Sequence, residues 1–195
     1  MTWQTVFNPF SKFSEKQLLS IGILSFIVNS VVCFYTSTKM DSIFHFSPQP
    51  DLLLANAFIY VTISTVTATL FLFLLALLFN KKTRFVDIVN TVLLSQAPNF
   101  LVLLCIKFSG LETMAKTVNT SNGAVPSLDL NTIAIVPFLI GIVLMLALIV
   151  YGFVLIYNGF KTATNLKKGL HIGLFILFLF LFTLFHQIYI HYLNL

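Results

Sequence analysis

Charge is scarce in this sequence: only 9% of its 195 residues are Asp, Glu, Lys or Arg. A soluble domain carries about 25%, so this chain cannot build a water-exposed surface around its whole periphery. Acidic groups are the scarcest, with six Asp and Glu in all. Apart from Asp87, at a segment boundary, none falls within an apolar stretch. Acid–base catalysis inside those stretches would therefore lack its groups. Gly-x-Ser-x-Gly, HExxH and phosphate-binding loop motifs are missing too. The histidines (His45, His171, His186, His191) are dispersed, and the five-residue step from His186 to His191 is wrong for zinc ligands on one helix face. Cysteine is nearly absent, and both Cys33 and Cys105 sit in apolar segments. They read as small packing residues rather than as a disulfide or metal pair. The expectation is a non-enzymatic chain with no catalytic residues, no cofactor and no metal.

Other signals are missing as well. The even alternation of a membrane β-barrel, in segments of about ten residues, does not occur. No small-x-small cleavage site follows the first apolar segment, so it is not read as a cleaved signal peptide. Nor does "SVVC" (residues 30–33) have the pattern of a lipoprotein site. No internal repeat stands out, and no loop is long enough to be a domain.

What the sequence does have is apolar length. Hydrophobic residues make up 58%, Phe alone numbers 22, and mean hydropathy is +0.97. Five apolar segments emerge at roughly 17–36, 52–79, 86–107, 132–158 and 169–193. Each approaches or exceeds the length of about 20 residues needed to cross a hydrocarbon core of about 30 Å, and the longest must tilt or extend beyond it. The fold class that follows is all-α: a polytopic membrane bundle of five helices over 17–195, preceded by a short segment over 1–16.

The bases orient it. Lys12 and Lys16 precede the first span, Lys81, Lys82 and Arg84 lie between spans two and three, and Lys161, Lys167 and Lys168 between spans four and five. Those eight oppose Lys39, Lys107 and Lys116 on the other side. The positive-inside rule then places the N-terminus in the cytoplasm and, with an odd span number, the C-terminus outside. The net charge of +5 belongs to this asymmetry and to anionic headgroups, not to nucleic acid. The partners expected are membrane lipids and other membrane proteins or a second copy of the chain, in a bacterial inner membrane.

In the N-terminal segment, Asn8 is placed to cap a helix opening at Pro9. Trp3, Phe7, Phe10 and Phe13 recur at spacings of three and four, which suits a helix lying at the headgroup level. The first outward loop, about 37–51, reads as irregular because Pro48 and Pro50 interrupt it. The second, about 108–131, holds the turn-rich "NTSNGAVPS", the glycosylation-type triplet at 119–121, and Leu111, Met114, Ala115 and Val118 on one side of a short surface helix.

Small and weakly polar residues form stripes. Span one carries Gly22, Ser25, Asn29, Cys33 and Thr36; span four carries Gly141, Met145, Leu148, Gly152 and Gly159; span two carries Thr62, Thr65 and Thr69. Such stripes let a second helix approach closely. They point to helix packing, and the glycines of span four to assembly between chains.

The stretch "NKKTRFVDIVNTVLLSQAPNF" (80–100) concentrates the remaining polar chemistry. Arg84 and Asp87, three apart, can pair at the entry to span three. Asn90, Gln96, Pro98 and Asn99 follow inside the apolar segment. Pro98 falls roughly 16 Å beyond Asp87, near the midplane. It removes one backbone hydrogen bond and obstructs the Leu94 carbonyl, so a kink is expected there. Gln96 or Asn99 can then bond a freed backbone group or a neighbouring helix. The alternative is a broken-helix binding site of the transporter kind.

Three stretches together resemble the Yip family of five-span membrane proteins, in its bacterial branch. They are "FNPFSKF" (7–13) before span one, "RFVDIVNTVLLSQAPNFL" (84–101), and a Y-x5-Y-x2-F-K pattern from Tyr151 to Lys161. The resemblance implies a non-enzymatic membrane protein acting through helix–helix association, as a scaffold or in membrane organisation and traffic. Eukaryotic relatives are linked to prenylated Rab-type GTPases through longer N-terminal regions. With only residues 1–16 ahead of span one, such an arm is not expected here. A small transporter or permease with its polar site near the span-three kink is the alternative.

Overall fold

The structure, a computed structural model, describes residues 3–109 and 132–193. Among these residues, five helices are long and apolar enough to cross a membrane: Glu15–Thr36, Leu54–Phe79, Phe85–Phe108, Val136–Thr164 and Gly169–Leu193. The "NTS" triplet and the surface helix expected from Leu111 to Val118 lie outside the described residues.

The chain opens with a short helix α1 (Trp3–Phe7) and a single 3-10 turn, Pro9–Ser11. Asn8 stands where a cap is expected, but its side chain makes no capping bond. The working cap is one turn later. Ser14 and Gln17 form a reciprocal capping box at the start of α2 (Glu15–Thr36), with Gln17 N donating to Ser14 Oγ and Ser14 N to Gln17 Oε1. The S-x-x-Q spacing satisfies two of the otherwise unpaired N–H groups of the helix start.

Span two is α3 (Leu54–Phe79). Span three is two helices, α4 (Phe85–Ser95) and α5 (Asn99–Phe108), separated by a turn over Gln96–Pro98. The proline does more than bend the helix. Without an N–H at Pro98, hydrogen bonding restarts as Asn99 N→Gln96 O and Val102 N→Pro98 O. Spans four and five are α6 (Thr132–Thr164) and α7 (Gly169–Leu193). Helix α6 runs six residues past the boundary expected at 158, because "KTAT" (161–164) continues it to a left-handed Asn165.

Span three is the axis of the bundle. Helix α4 packs against α6, α2 and α3, and α5 against α6 and α2. Two thirds of its apolar window (67%) is buried, against 17% for α7, which touches mainly α3 and the segment after α2. At the basic end, Phe160 stacks on Phe175 at 4.5 Å between ring centroids and meets Phe79 edge-on at 6.0 Å, joining α3, α6 and α7.

The loop after α2 departs from expectation. Instead of an irregular segment, Thr38–Ser42 (β1) and His45–Pro48 (β2) pair as an antiparallel hairpin. Pro48 is compatible because it closes β2 at an exposed position, where a missing N–H costs little; Pro50 falls beyond the strand. The hairpin points into the bundle: its tip residues Ile43 and Phe44 are buried, while His45 and Pro48 at β2's two ends are exposed.

Candidate functional site

Three polar layers stack along the axis of span three. The first lies at the basic end. Arg84 bonds Glu15 at the start of α2 and approaches Asp87 at 3.6 Å. The i,i+3 pairing read from sequence is thus the weaker half of a bridge whose main partner is 69 residues away. Glu15, then Asp87, hold the Arg84 guanidinium above its ordinary pKa by hydrogen bonding and charge. One turn further in, Asn90 is buried and its Oδ1 accepts no hydrogen bond from any described residue.

The second layer is the break itself. Asn29 Nδ2 donates to the Gln96 carbonyl at 2.9 Å, and the Thr65 hydroxyl lies 3.2 Å from Gln96 Oε1. The buried Asn of span one therefore meets a carbonyl of the interrupted helix. In a hydrocarbon medium such a group must find a donor within the protein. Among the described residues, Gln96 Nε2 and Asn29 Oδ1 have no partner.

The third layer is the socket of the hairpin. The register passes from Met40↔Phe46 to Ser42↔His45, so Asp41 is a bulged residue outside the ladder. Three hairpin carbonyls are met by side chains of three different helices. Ser64 Oγ donates to Met40 O at 2.9 Å, His186 Nδ1 to Asp41 O at 2.7 Å, and Asn99 Nδ2 to Ile43 O at 2.8 Å. A carbonyl only accepts, so His186 carries a proton on Nδ1, while its Nε2 lies 2.7 Å from the Thr67 hydroxyl, which itself donates to the Ile63 carbonyl of α3. Ser64 lies ten residues past Leu54, which sets the clamp about 15 Å along α3. Irregular backbone at that depth is tolerated only when protein encloses and bonds it. Above the clamp, the Asp41 carboxylate accepts from His45 Nδ1 at 2.6 Å, which raises the His45 pKa above its ordinary value.

The glycine stripes serve contacts inside the chain. A Cβ at Gly22 would meet Leu93 Cβ at 2.7 Å; at Gly152, the Phe44 ring at 2.7 Å and Ser95 O at 3.2 Å; at Gly159, Thr91 Oγ1 at 2.5 Å. One at Gly141 would collide with Ser109. Within the chain, the span-four glycines are covered by α4, the residue that ends α5 and the hairpin tip. Ser25, half-buried, bonds only its own Ile21 carbonyl, and Thr62 is exposed, apart from the buried Thr65 and Thr69.

The structure brings Asn29, Gln96 and Thr65 together, and Arg84 with Asp87; it holds Asn90 and Asn99 in separate layers. His186 and Ser64 have no role legible in the sequence, because the carbonyls they bond are 145 and 24 residues away in the hairpin.

The family described as Yip1 domain matches residues 3–188, nearly the whole chain. No curated protein and no solved structure matches it.

Proposed function

The chain belongs to the Yip1 domain family, and from that premise we propose that it is a non-enzymatic membrane scaffold acting in membrane organisation or traffic. It associates with other membrane proteins or a second copy through its lipid-facing helices. The main support is where its own interior is closed. The hairpin fills the half of the bundle opposite the basic end and is bonded there by Ser64, His186 and Asn99, while α6 and α7 turn Val143, Leu146, Phe180, Phe185 and Tyr192 to the surface. Helix–helix contacts inside a bilayer form on such faces by packing rather than by charge. A photocrosslinking residue at Phe180 or Phe185, in the full chain in native membranes, tests this. Protein–protein adducts there, with none from a probe at the buried Phe175, are expected. Lipid adducts alone from every position would remove the basis of the proposal.

A small permease is the second reading, favoured by one observation: Gln96 Nε2 and Asn29 Oδ1 are buried beside the break without partners, as at an interrupted helix that awaits a ligand. In a Cys33→Ala, Cys105→Ala background, Asn99→Cys separates the two. A thiol that reacts with a membrane-impermeant polar reagent favours the permease; a shielded one favours the scaffold.

A further inference from the structure

At the basic end, between the N-terminal strap, α2, α4 and α6, lies a recess of about 220 Å³ lined by Phe10, Phe13, Glu15, Asp87, Asn90 and Thr162. Beyond Phe13 and Leu18, which border both, a second cavity of about 280 Å³ runs along Ile21, Leu94, Ala97, Tyr151 and Leu155. A third recess shares Phe13 and is bordered by Lys16. We propose that these spaces hold one glycerophospholipid with a primary-amine headgroup, its ammonium in the polar recess, its phosphate toward Lys16 and an acyl chain along the apolar slot.

Charge decides the headgroup. Two carboxylates, Glu15 and Asp87, share the single Arg84 guanidinium, so the recess keeps one unit of negative charge for a cation. Asn90 is 2% exposed, lines the recess, and its Oδ1 has no donor. A buried acceptor left bare is costly, and a primary ammonium supplies N–H donors. A trimethylammonium headgroup has none, and an anionic glycerol headgroup brings the wrong charge. Phe10 and Phe13 line the same recess, and aromatic rings attract a cation. Lys16, exposed at the start of α2, borders the third recess, which adjoins the polar one at Phe13, and supplies positive charge for the phosphate.

The slot decides between a lipid and a soluble amine. Leu94 is four residues past Asn90, so the apolar cavity continues about 6 Å deeper into the bilayer than the polar recess. A soluble amine leaves that space unfilled; an acyl chain fills it. The inference goes beyond the scaffold reading and does not rest on it, since partner adducts report on α7 and lipid retention reports on the basic end.

The test uses the full chain in vesicles of equal parts phosphatidylethanolamine, phosphatidylcholine and phosphatidylglycerol, released into mild detergent and weighed intact with its retained lipid. One phosphatidylethanolamine per chain is expected, favoured about tenfold over the other two, as one charge-assisted bond would give. Asn90→Leu should remove the preference over phosphatidylcholine, and Asp87→Asn the preference over phosphatidylglycerol. Asp87 is half-exposed, so its variant folds even if Asn90→Leu does not; circular dichroism and the thermal transition check both. Retention in proportion to the vesicle composition overturns the proposal, as does a preference untouched by Asp87→Asn. Free ethanolamine that binds the chain while no lipid is retained overturns the lipid and leaves a soluble amine.

Discussion

Asn99 Nδ2 donates to the Ile43 carbonyl at 2.8 Å, tying the first residue of the helix after the break to the tip of a hairpin 56 positions earlier in the chain. Both ends are buried, so no water replaces the bond. Asn99→Leu should leave the Ile43 carbonyl unpaired and destabilise the protein by about 1–3 kcal/mol. The measurement is thermal unfolding in detergent, with Thr62→Leu at an exposed position of α3 as the comparison. An unshifted transition for Asn99→Leu would mean the hairpin is held by apolar contact alone.

His186 couples two elements at once, meeting the Thr67 hydroxyl of α3 at Nε2 and donating from Nδ1 to Asp41 O of the hairpin. His186→Phe keeps the ring volume and leaves the buried Asp41 carbonyl without its donor. It is expected to cost about 1–3 kcal/mol, while His191→Phe, exposed on the same helix, should change little. Exchange protection of the hairpin amides would fall in the first variant and hold in the second.

The five spans were legible because each is a long apolar run, and hydrocarbon thickness turns run length directly into topology. The break was legible at Pro98 for an equally local reason, the missing N–H. Asn29 and Gln96 could be singled out as polar residues in apolar segments, but not paired, since their contact spans 67 residues. The hairpin was hidden more deeply. Its strands are four and five residues long, its prolines argue against a strand, and its stability comes from Ser64, Asn99 and His186, up to 145 positions away. Local pattern carries no trace of such partners. The glycines of span four were legible as close-approach residues, yet nothing in a stripe says whether the approaching group belongs to the same chain.

Gly152 makes that distinction measurable. A side chain there meets the Phe44 ring and the Ser95 carbonyl, so Gly152→Val should destabilise the monomer by about 1–3 kcal/mol through overpacking. Association between chains, followed by crosslinking, should stay as in the unmodified protein once folded material is compared. Gly173→Val, where nothing lies within 4 Å, is the control for added bulk.

His45 is half-exposed, and the hydrogen bond from its Nδ1 to the Asp41 carboxylate raises its pKa, more than partial burial lowers it. A group whose folded-state pKa exceeds its unfolded value binds more protons when folded, so its contribution to stability is complete below the unfolded value, about 6.5 for histidine. It is lost as pH rises from there through the raised value in the folded state. Hairpin stability should therefore decline as the solution passes from mildly acidic to mildly alkaline, and His45→Gln should flatten that decline while leaving the clamp to His186 intact. A titration of the His45 ring by NMR gives the direction independently. A midpoint below the ordinary histidine value, or a pH profile that survives His45→Gln, would assign the dependence to another group.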